Sequence, residues 1–207
     1  MNPALAEAIR ANPFEGGGSD NVSVHNTTSV SAVDMKRTIK RVHLTCTKTL
    51  DEAKSAFSYH WRLYFELHPV AAQDFDEQSR TESIELHVTL LSKTNGMANT
   101  IAIGRTYETT RSTIAKTHWE IVGDEWTVSE MLTFVINDRK RHQFLFDVAS
   151  GSGCADWCVT VLGDIEEAGK LSGGVKKAAE EFVDNTAREI NDQRGMPLPT
   201  PKGTFYD

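Results

Sequence analysis

The chain has 207 residues, 39% of them hydrophobic and 25% charged, and its 29 acidic and 22 basic side chains give a formal charge of −7. This is the composition of an ordinary folded protein, long enough to bury a core without metal or disulfide staples. The acidic balance argues against nucleic acid as a partner, because phosphate binding rests on clustered Lys and Arg.

Residues 1–10 fit a short helix, and the glycine run at 16–18 followed by Ser, Thr and Asn up to 33 reads as a flexible lead-in, so 1–37 is taken as a flexible N-terminal segment. Residues 40–46 alternate and open a sheet. Residues 58–67 alternate strictly, with Trp61, Leu63, Phe65 and Leu67 on one side and His60, Arg62, Tyr64 and Glu66 on the other. Residues 83–90 follow the same period, with Glu85 and His87 on the polar face. Further strands are expected at 100–107 and 118–122. Thr127 reads as an N-cap and Glu130 completes a capping box, for a helix reaching about Asn137. A short strand at 143–146 leads into Ser150-Gly151-Ser152-Gly153. Helices are expected over 154–168 and 174–192, and the tail from Gly195, with Pro197, Pro199 and Pro201, reads as extended or disordered. Strands clustered ahead of the last two helices predict an α+β fold, a mainly antiparallel sheet packed against helices, as one domain over 38–192 followed by a Pro-containing tail at 193–207.

The richest chemistry starts at Cys154. Apolar side chains recur at 154, 157, 158, 161, 162 and 165, the stripe of an amphipathic helix entered from a Gly/Ser turn. Free N–H groups and the positive end of the helix dipole at such a start bias a thiol toward thiolate, so Cys154 is expected to react below the ordinary thiol pKa of about 8.5, and Cys158 more slowly. The plainer reading is a small core residue. If the strands at 58–67 and 83–90 pair, His60 and His87 share one side of the sheet. A cysteine at a helix start, a base and a group orienting that base make up a thiol-nucleophile constellation.

Other features are weaker. Seven histidines invite a metal, yet no His-x-x-x-His or Cys-x-x-Cys spacing is present, so no metal and no cofactor is expected. Cys154 and Cys158, one helical turn apart, suit a disulfide poorly. Ser150-Gly151-Ser152-Gly153 lacks the following Lys-Ser/Thr of a phosphate loop. Trp61, Trp119 and Trp157 read as core or pocket-wall aromatics. No apolar run reaches the length of a membrane span and the N-terminus lacks an apolar signal core, so a cytoplasmic location is expected.

The order His60-Trp61 on an alternating strand, His87 on the next, then Gly153-Cys154 opening a helix resembles the circularly permuted papain-like proteins of the NlpC/P60 and lecithin-retinol acyltransferase type. Gly stands where those families carry Asn or a similar residue before the cysteine. The chain also resembles an uncharacterised fungal domain family with His-Trp, a second His-Trp and Gly-Cys-x-x-Trp, matched by His60-Trp61, His118-Trp119 and Gly153-Cys154-Ala155-Asp156-Trp157, over roughly 38–190. The papain-like resemblance implies a cysteine-dependent acyl hydrolase or acyltransferase: Cys154 as nucleophile, His60 as base, His87 as orienting group, and amides at 153–155 for the oxyanion. The substrate would be a small molecule or a peptide-like amide or ester, within fungal small-molecule biosynthesis. The alternative is a non-covalent ligand-binding or cyclase- or isomerase-like protein, with a pocket lined by Trp61, Trp119, Trp157 and His118 near Gly153.

Overall fold

Period-two alternation builds the sheet, and hydrogen-bonding order decides which alternating runs become neighbours. The computed structural model describes residues 24–51, 56–69, 80–92, 94–150, 152–191 and 200–206. Its strands are β1 (Val24–Ser29), β2 (Ile39–Asp51), β3 (Ala56–Leu67), β4 (Ser83–Leu90), β5 (Ala98–Arg105) and β6 (Thr113–Glu120). They form one sheet in the order β1-β5-β4-β3-β2-β6, in which β1 lies parallel to β5 and every other pair is antiparallel. The helices are α1 (Val128–Thr133), α2 (Cys154–Glu167) and α3 (Val175–Asn191), and a short ribbon pairs β7 (Phe144–Leu145) with β8 (Thr204–Phe205). The α+β expectation holds.

Register aligns Leu44 with Leu63 and Leu63 with Leu86, so Val42, Leu44, Cys46, Trp61, Leu63, Phe65, Ile84, Leu86 and Val88 share one face. All are buried, together with Trp157, Cys158, Val161, Leu162 and Ile165 of α2 and Val183 and Ala187 of α3. Trp61 meets Phe182 of α3 edge-on at 5.9 Å. Each large apolar side chain withdrawn from water contributes about 1.5–3 kcal/mol, which makes this the layer that holds sheet to helices.

The capping box forms as read: Glu130 N–H donates to Thr127 Oγ1 at 3.2 Å, and Thr127 N–H donates to Glu130 Oε2 at 2.8 Å. The helix it starts is shorter than expected, because the chain widens at Phe134–Asp138 into a π turn in which Arg139 N–H reaches the Phe134 carbonyl at 2.9 Å.

One expectation is corrected at the N-terminal end of the described chain and one is narrowed at the other end. Residues 24–29, read as part of the flexible lead-in, form β1, whose main-chain groups pair with the edge of β5. Pairing of that kind needs no apolar pattern in the strand itself. Just after it Asp34, 2% exposed, accepts hydrogen bonds from Ser31 at 2.7 Å and Thr81 at 2.9 Å and pins the segment to the domain. At the other end the tail returns as β8. Phe205 lies 4.9 Å from Phe144, and a Cβ on Gly203 would stand 2.0 Å from the Phe144 ring. The expected helix at 1–10, the glycine run at 16–18 and the segment carrying Pro197 and Pro199 lie outside the described residues.

Candidate functional site

The second face of the sheet is where sequence and structure part most. Its side chains follow the same register in rows: Glu120, Arg41, Glu66, Ser83 and Arg105 in one, and His118, His43, Tyr64 and Glu85 in the next. The sequence reads this as the wetted side. Instead His43, Thr45, Thr47, Tyr64, Ser83, Glu85 and His87 are all buried. Among the described residues, the chain just after β5 crosses this face. Its Tyr107 carbonyl accepts from Ser83 Oγ at 2.7 Å, and the Tyr107 ring lies 6.4 Å from that of Tyr64.

Burying a carboxylate is costly unless it is paired. Glu85, its side chain 1% exposed, answers this with two arginines, Arg62 at 3.0 Å and Arg105 at 2.5 Å. Next to that triad stand the two predicted histidines. His60 and His87 share a face as expected, and His60 Nε2 lies 2.8 Å from His87 Nδ1. On its far side His87 Nε2 faces Glu85 at 3.7 Å. Burial pushes His60 down to about 3, with His87 and Arg62 adding to the effect, and it pushes His87 down to about 4 against the pull of Glu85. Both rings are neutral at neutral pH, so one donates and the other accepts in the bond they share.

Cys154 opens α2 as read. Gly153 is its N-cap at φ +145°, a conformation that favours glycine, and a Cβ there would meet the Phe144 ring at 3.1 Å. The expected activation of the thiol meets an opposing influence. Burial raises the Cys154 pKa, outweighing the backbone N–H groups of Trp61, Ala155 and Cys154 itself and the charge of Arg62, which act to lower it. The helix start does stabilise the thiolate, but desolvation at 9% exposure is larger. Cys158 is driven well up by burial, with Cys154 beside it, and Cys46 up to about 12. All three cysteines are free. Through the Trp61 amide the thiol touches β3 on its helix side, whereas the His60 and His87 side chains stand on the other face of the sheet, and no hydrogen bond among the described residues joins Cys154 to either histidine.

The aromatic set disperses. Trp157 is wholly buried with its indole N–H donated to the Arg141 carbonyl at 2.7 Å, and Trp61 is 1% exposed in the core. Trp119 is half-buried on the helix side of β6, opposite Val42. His118 is exposed at the β6 edge of the polar face and separated from His60 by β2. It stands 5.4 Å, ring to ring, from His43. There His43, Glu66 and Glu108 bring ligand atoms within 4.8 Å of one another. Sequence reasoning passed over Arg62, Arg105, Tyr64 and His43. Alternation gave the side on which the strand residues among them lie, but no local signal reports that this side is covered.

A family model of a domain of unknown function (DUF7770) matches residues 42–206, and the chain belongs to that family. No curated protein and no solved structure matches it.

Proposed function

We propose that this DUF7770 member is a cysteine-dependent acyl hydrolase or acyltransferase for a small-molecule or peptide-like ester or amide, with the papain-like order of elements: base strand, orienting strand, nucleophile helix. The observation that carries the reading is the 2.8 Å contact between His60 Nε2 and His87 Nδ1. It commits one nitrogen of His60 to an orienting partner and leaves Nδ1 uncommitted among the described residues, the arrangement a base needs to take a nucleophile's proton. Glu85 stands behind His87 as the fixed end of the chain.

The raised thiol and lowered imidazole define the resting state as neutral thiol and neutral imidazole. The proton therefore moves during attack: Cys154 Sγ bonds to the substrate carbonyl carbon as its proton passes through a relay of water to His60 Nδ1, because the thiol lies on the helix side of β3 and His60 on the other. The same relay returns that proton to the leaving alcohol or amine. Water or an acceptor alcohol or amine attacks the resulting thioester with His60 as base again, releasing the acyl product and restoring the thiol. In this reading the backbone N–H groups at the α2 start meet the oxyanion. A cytoplasmic setting in fungal small-molecule biosynthesis belongs to the same proposal and rests on the sequence resemblance.

A second reading, non-covalent binding or acid–base chemistry on the polar face, is favoured by the burial of Cys154. The two separate on one experiment. After incubation with a series of p-nitrophenyl esters, intact-mass measurement is expected to find an acyl adduct on Cys154 that decays with time and is absent in Cys154→Ser. His60→Ala is expected to slow its formation by about 100-fold or more, and His87→Ala by less. No adduct on the folded protein, where the unfolded chain acylates readily, would leave the non-covalent reading standing.

A further inference from the structure

We propose that His43, Glu66 and Glu108 form a binding site for a divalent transition-metal ion of the zinc class. The site lies on the polar face at its β6 edge and does not depend on Cys154 chemistry.

His43 is the reason. Its side chain is 2% exposed and lies between two carboxylates, with Nε2 3.0 Å from Glu66 Oε2 and Nδ1 3.7 Å from Glu108 Oε1. A neutral imidazole has one N–H to give, and a carboxylate only accepts. One ring nitrogen therefore faces a carboxylate with lone pair against lone pair, and Nδ1 is indeed buried without a hydrogen-bond partner. A cation between the groups resolves the conflict directly. Ligand atoms about 2.1 Å from a common ion stand about 3–4 Å apart, close to the spacing already present, so modest side-chain movement closes the site. Imidazole with carboxylate is a donor set that suits zinc and its neighbours.

The carboxylates are not idle without an ion. Lys40 holds Glu66 Oε1 at 3.0 Å, Arg41 lies 3.2 Å from Glu66 Oε2, and Lys116 holds Glu108 Oε1 at 3.1 Å. Lys40 and Lys116 are 35% and 53% exposed, on flexible stems that swing aside readily, so they act as competitors that a divalent ion displaces. No ligand-spacing motif announces the site, because its members come from two strands and the segment following β5.

The test uses the full chain with Zn²⁺ by calorimetry and Co²⁺ by visible absorption. One saturable ion per chain is expected, with visible cobalt bands and a zinc-dependent rise in Tm. Glu108→Gln, at a half-exposed position that leaves the fold intact by circular dichroism, and His43→Gln are expected to weaken Zn²⁺ by at least about tenfold. Lys116→Met is expected to strengthen it. No saturable binding, binding that Glu108→Gln leaves unchanged, or a cobalt spectrum dominated by the intense near-ultraviolet band of thiolate ligation would overturn the proposal.

Discussion

The hydrogen bond between His60 and His87 survives only while the pair carries no more than one extra proton, and this ties local chemistry to stability. Burial holds His60 near 3 and His87 near 4, and His142 is pushed down to about 4 chiefly by burial, with His25 beside it. In the unfolded chain these rings take up protons as pH falls through about 6.5, while the folded ones wait until pH 3–4. Across that window the unfolded state binds more protons, so stability is full above pH 6.5 and is lost on acidification. Each ring contributes up to about 1.4 kcal/mol per pH unit. Urea titrations at pH 7.5, 6 and 5 are therefore expected to show a steadily falling midpoint, less steep in His87→Gln. A flat midpoint down to pH 5 would contradict the burial of these rings. At this scale alternation placed His60 and His87 on one side of the sheet on the condition that their strands pair, which β3 and β4 do. For Cys154 the sequence reported only the helix dipole, a local feature, and not the opposing desolvation, which comes from residues far away in the chain.

Elements whose determinants lie within a few residues came out as read. The Thr127 and Glu130 capping box is one, and Thr127→Ala is expected to cost about 1 kcal/mol, read as a lower urea midpoint with an unchanged slope. A loss of under about 0.3 kcal/mol would mean that packing of Val128, Met131 and Leu132 fixes that helix start without the cap. The amphipathic stripe of α2 likewise predicted its bounds to within a residue. Where that helix lands was not legible: Trp157, read as a core or pocket-wall aromatic, takes the core place and is hydrogen-bonded to Arg141, a partner set by the preceding turn. The strand expected at 118–122 instead runs Thr113–Glu120, since pairing with β2 extends it upstream past the apolar residues that mark it.

At the scale of the whole molecule both ends of the described chain are held by structure the sequence did not announce, β1 on the sheet edge and β8 against β7. Phe205 bridges the tail to Phe144 and to Arg141, whose guanidinium lies 4.8 Å from its ring. Phe205→Ala is expected to cost about 2 kcal/mol and lower Tm by about 4–8 °C in a differential scan. An unchanged Tm would mean that β8 docks without contributing to stability. Taken by itself, the sequence determined the α+β class, the period of each strand, which side chains share a face, and the start of α2 at Cys154, because all of these follow from spacing along the chain. Only the tertiary structure decided that the polar face is buried, that Glu85 draws in both Arg62 and Arg105, and that His43 meets Glu66 and Glu108. Burial and charge pairing are sums over neighbours brought together by strand order, and strand order is set by contacts between segments that carry no mark of each other in sequence.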